Sequence, residues 1–297
     1  VWEPTDWLRF RATQSRDIRA PALNELYSPG SNVRNAVTIR NRLTGATQNP
    51  VIPQNTSLGN PNLDPEIADT TTFGFVVRPG GAFEGLNVSI DYYRIDLNDA
   101  ITNLSTANIA GLCNSGNTTF CDYFSYDSTG MATGLIAPAL NLGGFLSAGY
   151  DIAVDYRHDL GPGTFEVNFS GTYVDESTVN TGIGTPVDRA GENGAANFGA
   201  VPTVRANLST TYRTDAWSGT LQAVYTSEGN LDNLYNTAPN LTVTDNSVPS
   251  YVVFNLFGSY NLTDRVRLFG AIENVLDREP VATPYAILNA PVYGAYY

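Results

Sequence analysis

The chain has 297 residues, a net charge of −13 and a sequence pI near 4.4. So acidic a chain argues against a nucleic-acid-binding protein, because phosphate backbones are bound by basic faces. No run of eighteen apolar residues occurs, which excludes a helix spanning a membrane, while a mean hydropathy of −0.16 suits both soluble proteins and membrane barrels.

The chain begins at Val1, and its only methionine is Met131. The first residues do not form a charged segment followed by an apolar run, so the sequence predicts no signal peptide. These features favour an internal fragment of a longer protein. A mature chain cut before Val1 is the alternative.

Alternation of apolar and polar residues, interrupted by turn residues, predicts roughly nine strands. In the clearest pair, Phe73, Phe75 and Val77 face one side of the first strand, and Pro79 begins the turn to the next. A short helical piece is expected around 107–112. The strands are expected near 7–15, 70–78, 86–96, 149–159, 164–175, 203–212, 218–227, 251–261 and 265–274.

The expected strands are long. A strand of about ten residues rises roughly 33 Å, and when tilted by about 45° it covers an apolar band of about 25 Å. Strands of soluble proteins are usually about five or six residues long. The strand length therefore favours a sheet that spans a membrane.

The connections between these strands alternate between long and short. Long loops are expected at 17–69, 98–148, 176–202 and 228–250, and short turns at 79–85, 161–163, 213–217 and 262–264. Short turns on one edge and long loops on the other are typical of an outer-membrane barrel. Tyrosines near strand ends on the apolar face indicate aromatic girdles, with ordinary strand propensity as the alternative: Tyr92, Tyr156, Tyr173, Tyr212, Tyr225 and Tyr260.

Several segments resemble TonB-dependent outer-membrane receptors, among them 86–101, 120–121 and 149–151, and three further segments carry the motif residues. The first is RATQSRDIRAPALNELY at 11–27, the second is NPNLDPEIADTTTFG at 60–74, and the third is ENVLD at 273–277. Asn141 falls where that family has a loop asparagine. The residues that carry the resemblance are Arg19, Pro21, Glu25, Asn60, Pro61, Leu63, Pro65, Glu66, Asn274 and Asp277.

The resemblance implies an all-β fold over residues 1–297: an antiparallel transmembrane β-barrel fragment with short periplasmic turns and long extracellular loops. It implies that this is the C-terminal part of the barrel and that the plug domain and the last strand are absent. The implied function is TonB-energised uptake of a scarce ligand across the bacterial outer membrane. Oligosaccharide, siderophore-bound iron and cobalamin are open as ligands.

The partners implied are outer-membrane lipid, the imported ligand at the extracellular loops and lumen, and the TonB complex through the missing N-terminal part. We expect no nucleic-acid partner. Two other classes of protein remain open. One is a passive porin-like or adhesin barrel, and the other is a secreted soluble β-sandwich that binds a ligand.

The motif residues favour a scaffolding role over ligand contact. Pro21, Pro61 and Pro65 stiffen the loop ends, because proline fixes backbone geometry and supplies no chemistry. Arg19, Glu25 and Glu66 are expected to pair near the barrel rim.

Cys113 and Cys121 are the only cysteines and lie in one long polar loop. In an exported protein an even cysteine count predicts a disulfide, with two free thiols as the alternative.

Nothing in the sequence predicts catalysis. His158 is the sole histidine, and no nucleophile-elbow, HExxH or P-loop pattern occurs. We therefore expect no enzyme, no cofactor and no metal site. The carboxylate pairs Asp96/Asp99 and Asp122/Asp127 could bind a cation or sugar hydroxyls, or be solvated loop charge. The basic cluster Arg34, Arg40 and Arg42 could meet an anionic ligand or balance neighbouring charge.

Overall fold

A computed structural model describes residues 1–194, 200–234, 246–283 and 292–293. The strands, in chain order, are β1 (Trp2–Thr5), β2 (Leu8–Arg19), β3 (Pro29–Ala36), β4 (Ile39–Arg40), β5 (Thr47–Gln48), β6 (Val51–Leu58), β7 (Glu66–Val77), β8 (Leu86–Asn103), β9 (Phe124–Tyr126), β10 (Ala132–Leu160), β11 (Gly163–Asn180), β12 (Val187–Asp188), β13 (Val204–Thr214), β14 (Trp217–Thr226), β15 (Gly229–Asn230), β16 (Ser247–Val248), β17 (Tyr251–Thr263), β18 (Val266–Ile272), β19 (Ala282–Thr283) and β20 (Val292–Tyr293). The helices are α1 (Leu23–Tyr27), α2 (Thr106–Asn114) and α3 (Thr118–Cys121), and a 3-10 turn covers Gly81–Phe83. Within these ranges no helix has the length and apolarity needed to cross a membrane.

The main sheet is a meander in the order β1-β2-β7-β8-β10-β11-β13-β14-β17-β18. Each strand on this path pairs antiparallel with the next one. The path stays in one sheet, whereas a sandwich places two sheets face to face. The soluble sandwich alternative is therefore wrong.

All nine predicted strands are present, as β2, β7, β8, β10, β11, β13, β14, β17 and β18, and the predicted helical piece is α2. Of the ten strands on the main path one was missed, and the short strands within the long loops were also not predicted. The short β1 pairs with β2, and the rings of Trp2 and Phe10 stack at 5.5 Å. Its four residues include Pro4, so it is too short for a period of two to be recognised.

Two sides of the main sheet differ in polarity. In β8, Ser89, Asp91 and Tyr93 line a groove on the concave side. The alternate residues Val88 and Ile90 face outward, because successive side chains of a strand point to opposite sides. Cross-strand register joins these positions to their neighbours and makes one continuous apolar band: Phe73, Phe75, Val77, Val88, Ile90, Ile152, Val154, Val167, Phe169, Leu208, Ala223, Phe254 and Leu256.

Aromatic side chains border this band at both edges. We call Tyr92, Tyr150 and Tyr173 the upper tyrosine row. The ring centroid of Tyr150 lies 5.3 Å from that of Tyr92 and 6.3 Å from that of Tyr173. At the other edge Tyr212 lies 5.5 Å from Trp217, whose register partner is Tyr260. The two rows fit the pattern expected of aromatic girdles at two membrane interfaces.

The connections fall on two edges as the sequence predicts. Short turns join β7 to β8, β10 to β11, β13 to β14 and β17 to β18, and we call this side the turn edge. Gly161 has a φ of 61° in the two-residue turn between β10 and β11, a conformation that suits glycine. The long connections lie on the opposite side, the loop edge. Residues 195–199 and 235–245 of two long loops, and 284–291 and 294–297 toward the chain end, lie outside the described residues.

The first two long loops fold together into a compact unit, which we call the loop subdomain (residues 29–58 and 104–137). In it β6 pairs with β3 and with the start of β10, and β9 pairs with β10. This is why β10 reaches 29 residues, far more than the sequence predicts. Strands and helices enclose a buried apolar core: Val37, Ile39, Ile52, Leu104, Ile109, Ala110, Phe120, Phe124, Ala132, Leu135 and Ala137.

Candidate ligand-binding groove and loop rim

The concave side of the main sheet forms an open groove of about 1280 Å³. Strands β2, β7, β8, β10, β11, β13, β14 and β17 all contribute side chains to it. Because polar residues alternate with the outward apolar band, hydroxyl, amide and charged side chains enter the groove, where they lie among aliphatic ones. Representative lining residues are Thr13, Thr72, Ser89, Ser170, Thr172, Asn207, Thr226 and Asn255.

One row of charged groups crosses the groove at a single level. Arg11 reaches across β7 and donates from Nε to Asp91 Oδ1 at 2.6 Å. The residue between them is Gly74, where an added Cβ would lie 2.0 Å from the Asp91 carboxylate. Glycine is therefore required for this cross-strand ion pair, because any side chain would occupy the space of the carboxylate.

The same row continues toward β13. Asp151 is the register partner of Asp91, and its carboxylate accepts a hydrogen bond from Thr172 Oγ1 at 2.7 Å. Arg205 is the register partner of Thr172. Its Nη2 makes a long hydrogen bond of 3.5 Å to the carbonyl of Ala200. A guanidinium offers five donors, so Arg205 retains capacity to bind an oxygen-rich ligand.

The rim at the loop edge holds the first two motif segments together. Arg19 donates from Nε to Glu66 at 2.5 Å and from Nη1 to Glu25 at 3.0 Å. Glu66 also accepts from the backbone of Ile101, and Glu25 from the backbone of Ala22. The Arg19 guanidinium, together with the Ala22 backbone N–H, holds the pKa of the Glu25 carboxyl below its usual value. The expected pairing of Arg19, Glu25 and Glu66 is thus present in the structure.

Asn141 and Asn60 fasten the second motif segment to the main sheet. Asn141 Nδ2 donates to the carbonyls of Asp64 and Asp99 at 2.9 and 2.8 Å, and Asn141 Oδ1 accepts from the backbone of Asp64. Asn60 Nδ2 donates to the carbonyl of Ala139 at 2.9 Å. Leu63, in the same segment, is buried. This geometry supports a scaffolding role for the motif, which stays a prediction.

The third motif segment ends β18 in a tight turn. Asn274 and Asp277 have φ values of 50° and 48°. The Asn274 side chain accepts from the backbone N–H of Arg278 at 2.8 Å and donates to its carbonyl at 3.0 Å. Asparagine tolerates this left-handed conformation and closes such turns with its own side chain. Both residues therefore shape the backbone at the strand end.

Sequence reasoning missed a buried ion-pair network that joins two long loops: Arg189, Glu192 and Asp232. Arg189 Nη1 lies 2.6 Å from Glu192 Oε2 and 3.2 Å from Asp232 Oδ1. The side chains of all three are at most 10% exposed. Glu192 belongs to the loop after β11 and Asp232 to the loop after β14, so the network connects them. Charges separated by 43 residues give no local signal in the sequence.

The loop charges noted in the sequence do not converge on one site. Arg42 lies 3.6 Å from Asp122 and 5.2 Å above the Tyr126 ring, so it balances neighbouring charge. Asp127 accepts bonds from the Thr129 hydroxyl and nearby backbone N–H groups, which hold the pKa of its carboxyl below the usual value. Within the described ranges, no three His, Cys, Asp or Glu side chains lie close enough together to hold a metal ion.

Cys113 and Cys121 are joined in the structure, with their Cα atoms 4.8 Å apart. The bridge links the end of α2 to α3 at the edge of the loop-subdomain core. We predict that the native protein carries this bridge, and that Cys113→Ser loosens the loop subdomain while leaving the melting of the main sheet nearly unchanged. The reason is that a bridge spanning few residues restricts the unfolded chain only locally.

Mass spectrometry of a digest prepared without reduction should show the Cys113 and Cys121 peptides linked. Hydrogen exchange should then rise in α2 and α3 of the Cys113→Ser variant, with Ser115→Ala on the same loop as the control. Recovery of both cysteines in alkylated form from unreduced protein would refute the bridge.

Comparison with known proteins connects this architecture to a family. The model of the TonB-dependent receptor-like β-barrel matches residues 1–275. A hemin receptor from Yersinia pestis is 31% identical over 102 residues, which are 33% of this chain and 14% of that protein.

Solved structures with the same fold include a ferric enterobactin receptor variant from Pseudomonas aeruginosa. It is 15% identical with a TM-score of 0.62, and the match covers 99% of this chain and 36% of that chain. A siderophore receptor from Acinetobacter baumannii is 16% identical with a TM-score of 0.60, over 95% of this chain and 36% of that chain. The chain thus spans about a third of the length of these receptors. The family match over most of the chain, together with the single meander and its two-sided polarity, shows that the chain belongs to the TonB-dependent receptor β-barrel family.

Proposed function

We propose that this chain forms part of an outer-membrane receptor that binds an iron-carrying ligand, of the siderophore or hemin type, for TonB-energised uptake. The loop edge is extracellular, the turn edge is periplasmic, and the apolar band contacts outer-membrane lipid. The TonB complex acts through a part of the receptor outside this chain. The function is binding and transport, and no covalent step is involved.

The observation that carries the proposal is the family membership of residues 1–275. The names of the similar proteins, which are receptors for ferric enterobactin, a siderophore and hemin, favour an iron-carrying ligand. The groove adds a chemical argument. Arg205 has unused donors near the loop edge, and the hydroxyl groups around it suit a ligand rich in oxygen atoms.

Other ligands and other classes of protein have less support. The groove chemistry alone also accommodates an oligosaccharide, but no similar protein named above binds one. A passive barrel does not account for the family match, because its members are receptors. Cobalamin has no supporting observation in the groove.

The proposal is tested by ligand binding to the purified native receptor. We expect ferric enterobactin or hemin to quench intrinsic fluorescence saturably, and Arg205→Ala to weaken that binding about tenfold, as for the loss of one charge-assisted hydrogen bond. Arg78→Ala, at the turn edge, is the matched control and should leave the affinity unchanged.

Uptake supplies the second readout. A strain lacking the receptor should lose uptake of labelled iron from the bound chelate, and the Arg78→Ala receptor should restore it. Saturable binding of an oligosaccharide or of cobalamin, with no binding of either iron compound, would overturn the iron assignment.

A further inference from the structure

Arg205, the second residue of β13, is an exposed side chain that two short stretches of backbone support. Its guanidinium donates to the carbonyl of Ala200 at 3.5 Å. The preceding residue, Val204, donates from its backbone N–H to Ser227 Oγ at 3.0 Å and accepts from the backbone N–H of Ser227 at 2.9 Å. We call residues 200–204 and Ser227 the Arg205 support.

Two consecutive residues of the loop after β11 hold this support. The carbonyl of Glu192 accepts from the backbone N–H of Val201 at 2.7 Å. Asn193 Nδ2 donates to the carbonyl of Ser227 at 2.8 Å. Glu192 and Asn193 are only 2% and 1% exposed. Each of the two stretches of the Arg205 support therefore has its own buried partner.

The buried ion-pair network fixes the position of these two partners. Arg189 Nη1 lies 2.6 Å from Glu192 Oε2 and 3.2 Å from Asp232 Oδ1. The backbone N–H of Arg189 donates to the carbonyl of Ser177 at 2.9 Å, so the network is anchored on β11. Asn193 follows Glu192 directly in the chain and is placed by the same contacts.

The two loops joined by the network meet backbone to backbone. A Cβ added at Gly229 would lie 2.2 Å from the carbonyl oxygen of Gly191, and a Cβ added at Gly194 would lie 1.9 Å from the carbonyl oxygen of Leu231. Side chains at these glycines would separate the loops. Because the contact is this close, a displacement of one loop reaches the other and the Arg205 support as well.

We propose that Arg189 is a positioning residue for ligand binding, because the buried network holds the Arg205 guanidinium in place at the groove. Among the residues that the structure describes, those lining the groove include Arg205 but no member of the network. A side chain that is already held loses less conformational freedom when a ligand binds, which raises the affinity. The inference rests on the role in ligand binding proposed above for Arg205.

A double-mutant cycle on the purified native receptor tests whether Arg189 acts through Arg205. The probe is ferric enterobactin or hemin, followed by fluorescence quenching. We expect Arg189→Met to weaken binding about fivefold in the parent, and by less than about twofold when Arg205→Ala is also present, because the supported contact is then already lost. Arg157→Met, which removes an exposed arginine, is the matched control and should bind like the parent.

A second measurement needs no iron ligand. Phenylglyoxal modifies arginine guanidinium groups, and mass spectrometry of a digest gives its rate at Arg205 relative to Arg78. We expect Arg189→Met to raise this ratio at least about threefold, because Arg205 leaves its place beside the Ala200 carbonyl more often. Adding Glu192→Leu and Asp232→Leu should return the ratio toward the parent value.

Three outcomes would overturn the proposal. They are an unchanged rate at Arg205 in folded Arg189→Met, equal weakening of binding with and without Arg205→Ala, and parent-like affinity although the rate at Arg205 has risen. Should Arg189→Met fail to fold, Asn193→Ala takes its place in both measurements, since it removes the hydrogen bond to Ser227 and keeps the ion pairs. If neither iron compound binds the parent, the iron proposal fails, whereas the phenylglyoxal rates still decide whether the network holds Arg205.

Discussion

Replacing Val88 by Arg should lower the free energy of unfolding by about 2–4 kcal/mol, the cost of a cation on the outward face near mid-membrane. Val88 lies in the apolar band, with Val77 and Val154 as its register partners. All three are aliphatic, so the new guanidinium would find no partner on the outward face. Reversible denaturant unfolding of the native receptor in lipid vesicles measures the change.

The neighbouring residue provides the control. Ser89 points into the groove, so Ser89→Arg places the same charge in a polar and hydrated environment. We expect this variant to unfold within about 1 kcal/mol of the parent, since lumen positions do not enter lipid. A Ser89→Arg cost equal to that of Val88→Arg would contradict the assignment of the two faces.

The polar and apolar faces of the main sheet were predictable because each strand shows the alternation within its own sequence. Each residue of a membrane-spanning strand faces either lipid or the polar interior, so the period of two appears within each strand. The run from Phe73 to Val77 shows the pattern clearly, and all the strands of this kind were found. β1 escaped because four residues around Pro4 are too few to display it.

The loop structure was not predictable because its contacts are distant in the sequence. The core of the loop subdomain brings Ile52 beside Leu135, and the parallel pairing of β6 with β10 joins segments that have no shared pattern. The rim cluster was partly predictable. Arg19, Glu25 and Glu66 are opposite charges next to prolines, but the clamp made by Asn141 depends on a carbonyl supplied by Asp99 on another strand.

The largest effect at the loop edge should come from the buried ion-pair network. Arg189→Met should destabilise the closed arrangement of the two loops by about 3–5 kcal/mol, because Glu192 and Asp232 stay buried without their cation. Backbone hydrogen bonds next to the network report the opening directly. The amides of Asn193 and Asn230, bonded across the loops at 2.6 and 2.8 Å, should lose protection from hydrogen exchange by about two to four orders of magnitude.

An exposed ion pair provides the control, because it tests the loss of an arginine charge where the partner carboxylate is not deeply buried. Arg157 lies 3.5 Å from Glu166 with 69% of its side chain exposed, so Arg157→Met should change stability by less than about 1 kcal/mol. A second variant isolates the uncompensated charges: adding Glu192→Leu and Asp232→Leu to Arg189→Met removes both orphaned carboxylates. Since apolar replacement of an entire buried network is often neutral, protection at Asn193 should largely return. If Arg189→Met instead leaves exchange at Asn193 unchanged, the network does not hold the loops together, and the backbone bonds between them suffice.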